Sequence, residues 1–64
     1  MTEWTRVESS QGENLELRKH ATMREIKAGL GITGRRCTLV AWYGQWRQYR
    51  LNGTEYTFTV TDCY

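Results

Sequence analysis

Two turn signals in close succession, Gly44-Gln45 and Asn52-Gly53, constrain this chain more than any other feature of it. A tight hairpin turn needs positive φ at one or both central positions, which glycine adopts freely and asparagine tolerates. Gly44-Gln45 suits a type II′ turn and Asn52-Gly53 a type I′ turn. If both turns are tight, a meander with strands over about 36–43, 46–51 and 54–61 has its register fixed. Tyr43 then faces Trp46, Trp42 faces Arg47 and Val40 faces Tyr49 across the first turn. Leu51 faces Thr54, Arg50 faces Glu55 and Tyr49 faces Tyr56 across the second. The two turns agree on an apolar face of Val40, Trp42, Tyr49, Leu51, Tyr56, Phe58 and Val60, with Arg47 lying over Trp42 as a cation–π neighbour. The opposite face collects Leu39, Ala41, Tyr43, Trp46, Gln48, Arg50, Glu55, Thr57 and Thr59. A slip of one residue would mix the two sets.

That apolar face needs a cover, and the preceding segment supplies one. Thr22-Met23-Arg24-Glu25 reads as a capping box, in which hydroxyl and carboxylate each satisfy a backbone N–H of the other residue. Met23, Ile26 and Leu30 form an apolar stripe at helical spacing, and Gly31 is placed for a left-handed C-terminal cap. The expectation is a short helix over about 23–30. Gly29, inside its last turn, should weaken it by ~1 kcal/mol relative to Ala. Upstream, residues 3–9 and 14–20 alternate apolar and polar around the turn formers SQGEN, as a hairpin would. The alternative is that residues 14–20 begin the helix.

With 64 residues the chain is one domain, residues 1–64, near the lower limit for folding without staples. Large aromatics answer that need, and three Trp and four Tyr provide them. Hydrophobic content of 39% suits a folded domain rather than a disordered tail. The expected class is α+β, in the order β-β-α-β-β-β. No apolar run is long enough to span a membrane and MTEWTRVESS has no signal-peptide core, so the expected location is cytoplasmic.

REIKAGLGIT, Arg24 to Thr33, resembles the first helix and turn of a helix-turn-helix unit. On that reading residues 37–51 would hold a DNA-recognition helix and Asn52-Gly53 the tip of a wing. Lys27 occupies a position where that motif carries a small residue, and CTLVAWY is rich in β-branched and aromatic residues, which favours the meander.

Two surfaces emerge as candidate binding sites. Tyr43 and Trp46 sit side by side at the Gly44-Gln45 turn, with Gln48 and Arg50 further along the same face. Aromatics beside arginines serve as protein hot spots or as base-stacking platforms. Trp4 or the N-terminal hairpin would otherwise cover the pair, and Arg50 would only pair with Glu55. Arg24, Lys27, Arg35 and Arg36 form the one basic cluster, suited to phosphate contact or simply to a solvated face. His20, Cys37 and Cys63 have no metal-ligand spacing, and no acid–base pair or phosphate loop is apparent. Cys37 and Cys63 fall at opposite ends of the sheet, too far apart to bond internally. Cys63, beside the C-terminus, could crosslink two chains in air. The expected function is therefore a non-enzymatic binding or regulatory module without cofactor. It acts through a protein partner, with nucleic acid as the main rival and a homodimer through a sheet edge as a third possibility.

Overall fold

The structure, a computed structural model, describes residues 3–63. Strands β1 (Trp4–Ser9) and β2 (Asn14–Arg18) form the N-terminal hairpin, helix α1 spans Met23–Leu30, and β3 (Cys37–Tyr43), β4 (Trp46–Leu51) and β5 (Thr57–Cys63) form the meander. The α+β class and the order β-β-α-β-β-β hold. The hairpin joins the meander in one antiparallel sheet ordered β2-β1-β5-β4-β3, because β1 pairs with β5 as well as with β2. Residues 14–18 are strand, not the start of the helix.

Local chemistry sets α1. Glu25 N–H donates to Thr22 Oγ1 at 3.3 Å and Thr22 N–H donates to Glu25 Oε1 at 3.4 Å, completing the capping box. Gly31 takes φ 75°, and the N–H groups of Gly31 and Ile32 donate to the carbonyls of Ala28 and Lys27, a Schellman closure. Arg18 Nε donates to Glu25 Oε2 at 2.9 Å, tying the end of β2 to the first turn of the helix. That hydrogen bond holds the Glu25 carboxyl below its ordinary range. A side chain at Gly29 would meet Leu15 Cδ1 at 2.8 Å, so this glycine lets the helix lie close over β2.

Ile26 and Leu30 pack on Val7, Phe58 and Val60, with Leu15, Leu17, Met23, Ile32, Cys37, Tyr49 and Tyr56 partly buried around them. Tyr49 stacks on Phe58 with ring centroids 5.4 Å apart. The core therefore sits under the helix, over β1 and β5.

The meander corrects the expected register in two places. Between Leu39 and Ala41 a bulge at Val40 shifts the β3–β4 ladder, so Leu39 rather than Val40 faces Tyr49. An extra residue on one strand reverses the facing of everything beyond it, and Val40 is 46% exposed instead of core. The second turn is wider than the type I′ reading. Asn52 N–H continues the β3–β4 pairing by donating to Arg36 O at 2.9 Å, and Thr38 Oγ1 bonds its side chain. Asn52 lacks positive φ; Gly53 alone carries it, at 80°, as in a type II turn. Thr54 then props the loop, its hydroxyl donating to Leu51 O and accepting from Tyr56 N–H. Strand β5 consequently starts at Thr57, and Tyr49 faces Phe58 rather than Tyr56. This slip is even, so the facing on β4 and β5 survives.

Three further expectations fail. Residues 37–43 are strand, which removes the recognition helix of the winged-helix alternative. Arg47 donates to Asp62 Oδ1 at 3.0 Å instead of capping Trp42 as a cation–π partner. Arg50 lies opposite Thr57 and makes no ion pair with Glu55 among the described residues. The Gly44-Gln45 turn forms as expected, with Gly44 at φ 58° and Tyr43 paired with Trp46. No helix among the described residues is long and apolar enough to cross a membrane.

Candidate functional site

Side-chain alternation from Val60 and Phe58 fixes which face every strand residue occupies. The helix-side face of the meander carries Leu39, Trp42, Arg47, Tyr49 and Leu51; the open face carries Tyr43, Trp46, Gln48 and Arg50. The four candidate residues of the open face are thus brought together. Tyr43 and Trp46 are cross-strand neighbours, and Gln48 and Arg50 follow Trp46 along β4. Tyr43 is 83% exposed, so nothing covers it, while Trp46 is half-buried. Trp4 shares this face but lies beyond β5, opposite Cys63. It does not shield Tyr43.

The basic cluster divides. Arg24 and Lys27 line one concavity of about 330 Å³ with Met23, Thr33 and Gly34. Lys27 Nζ is committed, donating to Arg35 O at 2.6 Å and so pinning the loop that leads into β3. Arg35 and Arg36 are exposed at the N-terminal end of β3. Arg50 lies beside that same end, opposite Thr38. The spatial grouping is therefore Arg35, Arg36 and Arg50 around the start of β3, with Arg24 on the helix.

The residues that sequence reasoning placed wrongly matter most. Strand β3 is an edge of the sheet, and it exposes Leu39 (43%), Val40 (46%), Trp42 (71%) and Tyr43. Leu39, Trp42, Gly44 and Arg47 border a shallow concavity of about 270 Å³ on the helix side. Trp42 belongs by register to the core face, yet it projects past the cover. The helix packs on Val7, Phe58 and Val60 of β1 and β5, and Trp42 lies two strands beyond β5 on the edge strand. CTLVAWY also contains no charged residue, which is the one signal in the sequence that could have marked this strand as an interface.

Electrostatics follow the same division. Residues 26–54 contain no Asp or Glu, only Lys27, Arg35, Arg36, Arg47 and Arg50. Four of the seven acids, Glu3, Glu8, Glu13 and Glu16, lie in or beside β1, β2 and their turn, and Glu55 lies in the loop between β4 and β5. Glu13 accepts from Tyr56 Oη at 2.7 Å and from Ser9 Oγ at 2.9 Å. Those two bonds, Tyr56 first, lower its pKa. Among the described residues no group of His, Cys, Asp and Glu could hold a metal ion, and Cys37 and Cys63 are free thiols. Comparison with protein-family models, curated proteins and solved structures returns no match.

Proposed function

We propose that this chain is a non-enzymatic binding module that acts through a protein partner, docked along the outer edge of β3. One observation carries the reading: an edge strand of seven residues with no charged side chain exposes four large apolar ones. Unpaired N–H and C=O groups on such a strand template another chain, and folded proteins ordinarily blunt them with charge, proline, brevity or a bulge, of which β3 has only the bulge at Val40. Addition of a partner strand would satisfy those groups, while Leu39 and Trp42 would supply a pocket for its side chains. Tyr43 and Trp46 extend the contact onto the open face as aromatic anchors. Two free thiols fit action in the reducing cytoplasm.

A photo-crosslinking residue placed at Trp42, and separately at Glu16 on the opposite edge, tests the reading in the native host. The expected result is a protease-sensitive, nuclease-resistant adduct at position 42 and none at position 16. Equal adducts at both positions, or none at either, would overturn it. Nucleic-acid binding is the second reading, favoured by Tyr43, Trp46, Gln48 and Arg50 sharing one face. A nuclease-sensitive adduct would select it.

A further inference from the structure

We infer that the segment taken up by the β3 edge is an extended acidic peptide, apolar in its first half and rich in carboxylates in its second, running antiparallel to β3. This rests on the reading of β3 as a docking edge and adds the chemistry and direction of its occupant.

The edge is polarised. Its N-terminal end is flanked by Arg35, Arg36 and Arg50, none of which forms an ion pair among the described residues. Of the remaining cations of residues 26–54, Arg47 is held by Asp62 and Lys27 by the Arg35 carbonyl. The C-terminal half is apolar and aromatic, with Leu39 and Trp42 beside the helix-side concavity. An antiparallel strand would set its first half against Leu39 and Trp42 and its second half against the arginines. Every pairing already in the sheet is antiparallel, the slightly more stable arrangement per residue.

Two other occupants fit less well. A second copy paired antiparallel would set its uncharged C-terminal half against Arg35 and Arg36 and leave them without a counter-charge. A nucleic-acid strand would match the charge but not the edge. Its phosphates only accept hydrogen bonds, so the outward carbonyls of β3 would stay unmet. Its stacking surface would also be limited to Tyr43 and Trp46, since Trp42, the neighbour of Tyr43 in the strand, points to the opposite face.

Backbone amide shifts of the full chain, titrated with four probes, provide the test. The first probe is a short peptide of alternating valine and threonine ending in a run of glutamates. The second is the same composition in reverse order, the third replaces glutamate by lysine, and the fourth is oligothymidylate. The first should perturb residues 37–43 and bind about tenfold more tightly than the second or third, and progressively less as salt is raised. The double variant Arg35→Glu/Arg36→Glu should weaken it by about tenfold or more, with unchanged β1 and β5 amides showing that the fold is intact. Equal binding of the lysine peptide or of the reversed peptide would overturn the acidic assignment or its direction while leaving the docking edge standing. Tighter binding of oligothymidylate would overturn it in favour of nucleic acid. Concentration-dependent shifts of residues 37–43 without any probe would overturn it in favour of a β3–β3 dimer. If no peptide moves residues 37–43 although Trp42 crosslinks a protein, the partner is not an acidic strand. If both experiments are silent, the docking edge itself falls.

Discussion

Strand β2 closes one side of the sheet with five residues, NLELR, and both of its charged side chains are engaged. Glu16 faces Arg6 at 3.9 Å, and Arg18 bridges to Glu25 at the start of the helix. Behind them Leu15 lies under Gly29, so helix and edge strand close on each other. Strand β3 closes the other side with seven residues, no charge and a bulge as its one protection. The same sheet thus ends once in a short, salted, covered strand and once in a longer, bare, apolar one. A small domain has little stability to spare. Here the core lies under the helix over β1 and β5 and reaches Tyr49, Leu51 and Cys37 at one end of the β3–β4 hairpin, whereas Leu39, Val40, Trp42 and Tyr43 of β3 stay exposed.

The largest expected effects lie in the covered half. Phe58 is fully buried and stacked on Tyr49, and Phe58→Ala should cost about 3–5 kcal/mol. A chain of this size has roughly 3–10 kcal/mol in total, so the variant should lose at least about a third of its stability. Trp42→Ala, which removes a larger side chain from β3, should change stability by less than about 0.5 kcal/mol. Urea unfolding of the two variants measures the difference. If Trp42→Ala cost as much as Phe58→Ala, the division into a core half and a binding half would be broken.

The sequence makes some of this division legible and hides the rest for identifiable reasons. Helix α1 could be read to its ends because its signals are local: the capping box at Thr22, the stripe of Met23, Ile26 and Leu30, and Gly31. The Gly44 turn is equally local. Val40 gives no such signal, since nothing in TLVAW separates a bulge from a regular strand until the neighbouring strand is in place. Asn52 departs from the type I′ expectation because its N–H and side chain are claimed by Arg36 and Thr38, partners remote in sequence. Trp42 reads as core in the sequence because alternation gives facing, whereas burial depends on what the helix covers. The Tyr43, Trp46, Gln48 and Arg50 grouping was legible from register alone. The grouping of Arg35, Arg36 and Arg50 around a bare edge needed the strand order β2-β1-β5-β4-β3.

A smaller effect sharpens the picture of the covered half. Thr5 is 1% exposed on the helix-side face of β1, and its hydroxyl has no hydrogen-bond partner among the described residues. An unsatisfied buried hydroxyl carries a desolvation cost of about 1–3 kcal/mol. Valine has the same branched shape and a better strand propensity. Thr5→Val should therefore stabilise the protein by about 1–2 kcal/mol, raising Tm by about 4–8 °C per kcal/mol. Peptide binding at β3 should not change. A loss of stability instead would mean that the hydroxyl is satisfied by an internal water and that the covered half is less apolar than its lining implies.

The smallest expected effect is at Gly29, where the two edges differ in how tightly they are held. Alanine there gains ~1 kcal/mol of helix propensity. Its methyl would lie 2.8 Å from Leu15 Cδ1, closer than carbon atoms approach, so the leucine must swing aside. Leu15 is half-buried at the sheet margin and its methyl is the free end of a flexible side chain, so the shift should cost about 0.5–1.5 kcal/mol in rotamer strain. Gly29→Ala alone should thus change stability by no more than about 0.5 kcal/mol in either direction. In a Leu15→Ala background the clash is gone, and the same substitution should stabilise by the full ~1 kcal/mol. The difference between the two backgrounds, read from urea unfolding, measures how closely the helix clamps β2. If Gly29→Ala has the same effect in both, the helix is free to move away from this edge, and β2 is protected by its charges alone.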